Sequence, residues 1–232
     1  MTHAVDSLER VTADVVVCRR CPRLVEWRER VAREKVARFR DEEYWGRPVP
    51  GFGDPAARIL IVGLAPAAHG GSRTGRVFTG DASGDFLFAA MHEVGLANQP
   101  TSVRAGDGLA LVDCYIAAAV RCAPPGNKPL PSERDNCAPY LQRELALLAG
   151  VRAVVALGAY GWASALRALA AVSGVELRPR PKFAHGAEVG FGRYDLIGTY
   201  HPSQQNTFTG VLTPPMLIDV LARAKELATT PR

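Results

Sequence analysis

Short apolar runs alternate along the chain with stretches whose apolar residues recur at helical spacing. Four of the runs are rich in Val, Ile, Leu and Ala, and they predict buried β-strands because parallel strands are covered on both faces. They are RILIVGLAP, LVDCYIAAAVRC, RAVVALG and RYDLIGTY. The stretches between them repeat their apolar residues every three or four positions, which indicates amphipathic helices.

The predicted helices have recognisable ends. A highly charged helix covers residues 22–40, and Ser83 is in position to cap the helix GDFLFAAMHEVGL. Ser132 opens a helix that runs to about Leu148, and the helices AYGWASALRALAAV and TPPMLIDVLARAKEL follow the third and fourth strands. This alternation predicts a single α/β domain over residues 1–232, with three α/β/α layers and a central, mostly parallel four-stranded sheet.

Three loops follow predicted strands, over residues 64–82, 123–131 and 201–213. In an open parallel sheet the ligand lies beyond the carboxyl ends of the strands, so we expect these loops to converge on one site. The first of them is long and rich in glycine, which is typical of a functional loop.

The charge balance is basic, with 28 Lys and Arg against 23 Asp and Glu. Arg dominates the basic residues and pairs well with phosphate, which fits a nucleic-acid partner, but an Arg-rich composition is equally typical of high-GC genomes. No apolar run is long enough to cross a membrane, and residues 1–14 lack the features of a signal peptide. We therefore expect a cytoplasmic, nucleoid-associated protein with no membrane partner.

Four of the five cysteines have a spacing that suits a metal centre. Cys18 and Cys21 form a C-x₂-C pair, while Cys122 and Cys137 flank a Pro-rich loop. Spacing alone is equally compatible with zinc and with an iron–sulfur cluster. A disulfide is disfavoured without an export signal. Cys114 lies within an apolar strand and is interpreted as a core thiol.

Several stretches together form a specific series: CRRCPRLVEWRERV, YWGRPVPGFGD, ILIVGLAPAAHGGSRTGRVFTGD, VRCAPPGNKPLPSERDNC and TYHPSQQNTFTG. The series resembles the uracil-DNA glycosylase superfamily, and closely its family 5, the bacterial and archaeal iron–sulfur type, over about residues 15–225. The resemblance implies a monofunctional glycosylase of base excision repair, which hydrolyses the N-glycosidic bond of uracil and of other deaminated bases such as hypoxanthine. It also implies a [4Fe–4S] cluster on Cys18, Cys21, Cys122 and Cys137.

The resemblance assigns catalytic roles to His201 and Asp81. His201 matches the histidine that contacts the departing uracil oxygen. Other families carry an acid in the first motif at the positions of Leu64 or Ala65, and here neither residue is acidic. Asp81 is the natural replacement for activating water, although it could instead be a stabilising charge at a helix N-terminus.

The resemblance also implies residues that bind the base and the DNA. Phe78 would stack on the flipped base, unless it is a core residue, and Asn127 would read the base edge, unless it only forms a turn. The substrate-binding set is Gly63, Ala65, Pro66, Ala67, Phe78, Asn127 and Ser203. The DNA-binding set is Arg73, Arg76, Lys128, Gln204, Gln205 and Asn206.

The expected partner is double-stranded or single-stranded DNA that contains uracil or another deaminated base, bound by a monomer. One competing interpretation is a non-catalytic iron–sulfur protein that binds DNA and senses damage, because the first motif lacks its acid. Another is a crosslinking chemistry at His69, which lies in the same loop.

Overall fold

The structure is a computed structural model that describes residues 5–230. Its α-helices are α1 (Leu8–Val16), α2 (Pro22–Glu34), α3 (Gly71–Thr74), α4 (Ala82–Glu93), α5 (Pro131–Leu147), α6 (Gly158–Ser173), α7 (Gln204–Phe208) and α8 (Pro214–Thr229). Its strands are β1 (Phe52–Gly53), β2 (Ile59–Gly63), β3 (Cys114–Ala118), β4 (Ala153–Leu157), β5 (Glu188–Phe191) and β6 (Tyr194–Thr199). Short 3₁₀ turns are formed by Ala37–Phe39 and Pro125–Asn127.

The strands form one sheet in the order β1-β3-β2-β4-β6-β5. The four central strands are parallel and are the four predicted from the apolar runs. The edge strands β1 and β5 pair antiparallel with their neighbours and were not predicted. Both are short and partly exposed, so neither carries the apolar run that marked the central strands.

The sheet is covered on both faces, as the α/β/α prediction requires. Alternate residues of the central strands point to opposite faces. On one face, Ile61 and Val155 pack with the apolar residues of α4 and α8. On the other, Val62 and Val154 pack with those of α5 and α6. Each core is a separate apolar layer, which is the three-layer architecture expected from the sequence.

Two predicted helix boundaries were wrong. The helix predicted over residues 22–40 ends at Glu34, because Lys35 adopts a left-handed φ of 51° and Ala37–Phe39 turns as a 3₁₀ segment. Helix α4 is capped by Asp81 rather than Ser83: the Asp81 side chain accepts a hydrogen bond from the backbone N–H of Gly84 at 3.0 Å. Asp and Ser are both good N-caps, so residue type alone did not show which of the two caps α4.

Three helices were not predicted, namely α1, α3 and α7. Helix α1 is held by tertiary contacts, since Val11 and Val15 pack against Tyr140 of α5. Arg143 of α5 also pairs with Asp14 of α1. Helices α3 and α7 have four and five residues, too few to show a periodic pattern. None of the helices within residues 5–230 combines the length and apolar character needed to cross a bilayer.

Candidate active site

A cavity of about 600 Å³, called here the base pocket, lies beyond the carboxyl ends of β2 and β6. All three loops expected to converge contribute to its wall. Its lining residues are Leu64, Ala65, Pro66, Ala67, Phe78, Asp81, Ala82, Ser83, Gly126, Asn127, His201, Ser203, Gln204 and Gln205. The sequence-derived catalytic pair, Asp81 and His201, therefore shares one cavity with most of the predicted substrate-binding residues.

Phe78 is held in a strained backbone conformation against the end of β2. Its φ is 50°, which is unusual for a bulky residue and is found mainly where function demands it. A Cβ on Gly63 would come within 2.8 Å of the Phe78 ring, so Gly63 must be glycine for the ring to lie where it does. Gly63 thus supports the ring from behind, while Ala65, Pro66 and Ala67 line the pocket itself.

His201 lies beside Phe78, with ring centroids 6.0 Å apart and planes at 37°. Burial lowers the pKa of His201 to about 4, because the imidazolium is poorly solvated there. The ring is therefore neutral at physiological pH and carries one N–H donor. The backbone carbonyl of His201 accepts a hydrogen bond from the Asn206 side chain at 2.8 Å, which fixes the start of the HPS loop.

Asp81 serves as the N-cap of α4 and also lines the base pocket. Burial raises the pKa of this carboxyl, while hydrogen bonds from the backbone of Gly84 and Ser83 oppose the shift. A Cβ on Gly70 would lie 1.9 Å from Asp81 Oδ2, so that oxygen is packed tightly against the backbone of the glycine-rich loop. The Asp81 carboxylate therefore caps helix α4 and lines the base pocket at the same time.

The remaining predicted substrate-binding residues are Asn127 and Ser203, one in an exposed turn and the other at the start of a helix. Asn127 is exposed at the mouth of the pocket with a left-handed φ of 57°, a conformation that Asn tolerates well in turns. Ser203 lines the pocket, and its hydroxyl accepts a hydrogen bond from the backbone N–H of Asn206 as the N-cap of α7. Both residues are at the cavity, and each also shapes its own loop.

Arg73 and Arg76 are buried and make internal contacts. Arg73 donates to the carbonyl oxygens of His69 and Gly80 and pairs with Glu42. Arg76 forms a two-pronged ion pair with Asp107, with N···O distances of 2.9 and 2.8 Å. Their guanidinium groups organise the first loop from within, and a phosphate contact by either stays a prediction.

Of the other predicted DNA-binding residues, Asn206 is half-buried and donates to the His201 carbonyl, and the remaining three lie at the surface. Lys128, Gln204 and Gln205 are exposed, and the two glutamines line the base pocket. Phe208, which was not among the predicted residues, is 79% exposed at the end of α7. The available signal was an aromatic residue directly after the polar QQNT run, in a loop already expected to border the site.

A second cavity of about 710 Å³ adjoins the base pocket and shares Asp81, Asn127 and Gln204 with it. His69 lies in this second cavity, with Nδ1 3.0 Å from the Tyr44 hydroxyl. Burial and the nearby Arg73 lower the pKa of His69, so this ring is also neutral at physiological pH.

Cys18, Cys21, Cys122 and Cys137, called here the cysteine site, approach one another between α2 and α5. Cys21 packs against buried Cys122 and Cys137 around Leu24, and Cys18 lies close enough to both buried thiols to influence their pKa. All five cysteines are free, and Cys114 is buried in β3 as the sequence indicated. Across residues 5–230, no group of three or more His, Cys, Asp or Glu side chains is positioned to hold a metal ion.

Hydrogen-bond donors point at the sulfur atoms of the cysteine site. Arg28 Nη1 is 3.0 Å from Cys122 Sγ, and Asn136 Nδ2 is 3.5 Å from Cys21 Sγ. Burial raises the pKa of Cys122 to about 12, although Arg28 acts in the opposite direction. Four thiols have the composition of an iron–sulfur ligand set, and two of them accept a hydrogen bond here. A bound metal ion would favour the deprotonated thiolates.

Comparison with known proteins agrees with this geometry. Residues 50–225 match the Uracil DNA glycosylase superfamily, and the chain belongs to that superfamily. It is 56% identical over 225 residues to the type-5 uracil-DNA glycosylase of Mycobacterium tuberculosis, covering 96% of this chain and 82% of that protein. It is 53% identical to the type-5 uracil-DNA glycosylase of Thermus thermophilus, covering 95% and 98%, and 47% identical to that of Pyrobaculum aerophilum, covering 90% and 88%.

Proposed function

We propose that this protein is a type-5 uracil-DNA glycosylase, which hydrolyses the N-glycosidic bond of uracil in DNA and so begins base excision repair. The observation that carries the proposal is the meeting of Phe78, Asp81 and His201 in one cavity of a uracil-DNA glycosylase fold. The printed function of relatives that are 47–56% identical over most of the chain supports it.

A base in a duplex can reach this cavity only if its nucleotide rotates out of the stack. Phe78 offers a flat apolar face to receive it, and its ring packs closely against Gly63. Stacking compensates part of the free energy lost on unstacking the base. Asn127 at the mouth of the pocket has an amide that matches the donor and acceptor pattern of a uracil edge.

His201 stabilises the departing base. As the glycosidic bond breaks, negative charge develops on the uracil, and a neutral imidazole N–H donates to the uracil oxygen. Because the ring is neutral before the reaction, this hydrogen bond strengthens as charge accumulates, and it lowers the barrier rather than only improving binding. The low pKa of His201 argues against proton transfer from an imidazolium at physiological pH.

Asp81 orients and polarises the attacking water. Its carboxylate is anchored at the start of α4 by the Gly84 N–H, so it is positioned before substrate arrives. A buried anion near the sugar also favours the positive charge that develops there. The water's oxygen bonds to the sugar carbon, the electron pair of the broken bond leaves with the base, and the water's proton passes to Asp81.

The pocket also suits other deaminated bases. Leu64 and Ala65 line the part of the wall where other superfamily members carry an acid, so this wall is apolar. An apolar wall distinguishes bases only by their shape, and this discrimination is weaker than that of a wall that forms hydrogen bonds with the base. We therefore extend the proposal to hypoxanthine, with uracil as the reference substrate.

The DNA-facing surface extends from the mouth of the pocket along α7. Gln204 and Gln205 are at the rim and Phe208 projects beyond them, a suitable arrangement for filling the space left by a flipped nucleotide. Lys128 on the neighbouring loop is placed to contact phosphate. We propose that a monomer binds single-stranded and double-stranded DNA in this way in the nucleoid.

The cysteine site is proposed to hold a [4Fe–4S] cluster. The support is the packing of Cys21, Cys122 and Cys137 around Leu24, the proximity of Cys18 to the two buried thiols, and the donors aimed at Cys21 and Cys122. When bound, such a cluster crosslinks its ligands through iron–thiolate bonds. It would tie the start of α2 to the loop that carries Asn127, so its role here is to stabilise one wall of the pocket.

The experiment is a strand-cleavage assay. A duplex with one uracil is incubated with the protein and then treated with alkali, which breaks the strand wherever a base is missing. Cleavage of the uracil duplex, with none of a matched thymine duplex, is expected. No cleavage of uracil-containing or hypoxanthine-containing DNA by iron-loaded protein would refute the glycosylase proposal and favour a binding protein without catalysis.

A further inference from the structure

Arg28 is a buried cation at the cysteine site. Only 3% of its surface is exposed. Its Nη1 donates to Cys122 Sγ at 3.0 Å, and its Nη2 donates to the backbone carbonyl of Cys18 at 3.2 Å. Its Nε is also buried and has no hydrogen-bond partner among residues 5–230. One guanidinium thus connects the C-x₂-C segment with the loop that begins at Cys122.

No carboxylate in the part of the chain that the structure describes comes within ion-pairing distance of Arg28. Arg19 and, to a smaller extent, Arg28 lower the pKa of Glu29, and Glu29 forms its ion pair with Arg19. Two other buried arginines differ in this respect: Arg76 pairs with Asp107, and Arg121 pairs with Glu144. An isolated buried charge is costly, and a guanidinium cannot lose its proton to avoid that cost.

We propose that Arg28 is the counter-charge of the group bound at the cysteine site. This inference rests on the proposed cluster, because a metal centre held by four thiolates is an anion buried beside the guanidinium. The Nη1–Sγ contact then becomes a charge-assisted hydrogen bond to the thiolate of Cys122. Arg28 is a positioning residue: it holds the Cys122 ligand and compensates the charge of the bound group.

A second buried donor is found in the same place. The Tyr160 hydroxyl has no hydrogen-bond partner in the described part of the chain, and its ring packs against the apolar surface around Cys122 and Cys137. This hydroxyl and Arg28 Nε are two of the five buried side-chain N and O atoms without a hydrogen-bond partner among residues 5–230. Most buried polar groups are paired, so both donors are available to a group bound at the cysteine site.

The proposal predicts effects of opposite sign with and without the cluster. In the loaded protein, Arg28 stabilises an anion, so its removal weakens cluster binding. In the cluster-free protein, Arg28 is a buried cation with no carboxylate within ion-pairing distance among residues 5–230, so its removal relieves a cost. A residue that acts only by packing, or by its bond to the Cys18 carbonyl, would stabilise both forms.

The test compares Arg28→Met, Arg28→Lys and the control Arg30→Met on the exposed side of the same helix. Iron per chain is measured first, and then the bleaching of thiolate–iron absorption during incubation with an iron chelator. Arg28→Met is expected to lose its cluster at least about tenfold faster than wild type, as outer-sphere changes typically do. Arg28→Lys retains the charge and is expected to fall between the two, while Arg30→Met matches wild type.

Thermal unfolding of the stripped and loaded proteins supplies the second measurement. Arg28→Met is expected to lower the Tm of loaded protein and to raise that of stripped protein. An unchanged rate of cluster loss, or a lower Tm in both forms, overturns the role of Arg28. Wild-type protein that carries no iron would overturn the cluster itself, which separates that failure from the failure of Arg28 alone.

Discussion

The base pocket and the cysteine site lie on either side of one loop, and they differ in the charge of their buried groups. In the base pocket, burial keeps His201 neutral and raises the pKa of Asp81. In the cysteine site, the permanent cation of Arg28 is buried with no carboxylate partner among residues 5–230. Catalysis needs groups that respond to charge developing in the reaction, whereas a bound anionic cluster needs a charge that is always present.

The loop itself joins the two regions. Cys122 is buried at its start, and Asn127 is exposed at the mouth of the pocket. Changes in the base pocket should therefore alter the rate and leave iron content unchanged. Changes in the cysteine site should alter iron content and stability first, and the rate only as a consequence.

The largest effect is expected at the catalytic pair. Asp81→Asn and His201→Ala should each lower the single-turnover rate of uracil excision by about 10²–10³, because each removes transition-state stabilisation. Asn is also a good N-cap, so Asp81→Asn should preserve α4 and isolate the catalytic role from the structural one. Asp85→Asn, in the first turn of the same helix, is the control and should stay near the wild-type rate. Full activity of Asp81→Asn would show that water is activated elsewhere.

The next effect is expected at the cysteine site. Cys137→Ala should abolish bound iron and lower the Tm by about 10 °C, because cluster binding is coupled to folding. Cys114→Ala, also a buried thiol but in β3, should retain full iron with a smaller loss of stability from the cavity it leaves. Iron content and thermal unfolding measure the difference. Equal iron in both variants would remove Cys137 from the ligand set.

The pH dependence should separate the two catalytic groups. The raised pKa of Asp81 means that this carboxylate is protonated, and the rate lost, at a pH above the usual range for Asp. Below that point, single-turnover rates should fall by about tenfold per pH unit. His201 has a pKa of about 4 and is therefore neutral at physiological pH. A wild-type inflection near pH 6.5 that disappears in His201→Ala would contradict the neutral imidazole.

The smallest effect is expected at the rim of the base pocket. Phe208→Ser should lower the rate on double-stranded DNA by about threefold to tenfold, the loss of one aromatic–base contact. The rate on single-stranded DNA should change less, since no duplex has to be opened there. Val211→Ser, an exposed apolar residue just after α7, is the matched control. Equal losses on both substrates would show that Phe208 does not act on the opened duplex.

The sequence by itself determined the central part of the fold. Four apolar runs became the four parallel strands, because a strand covered on both faces is apolar along most of its length. The loops after those strands then had to meet at one edge, which brought Asp81, Phe78 and His201 together. The edge strands and the helices α1, α3 and α7 were missed, because they are short or depend on contacts with distant residues.

Only the tertiary structure decided what each charged group does. Arg73 and Arg76 were predicted to contact DNA, which stays a prediction, and the fold pairs them with Glu42 and Asp107, acids from distant segments. The neutral state of His201 and the contact of buried Arg28 with Cys122 likewise depend on residues remote in the chain. A sequence specifies which groups can ionise, but their solvation and pairing are set by residues that only folding brings within a few ångströms.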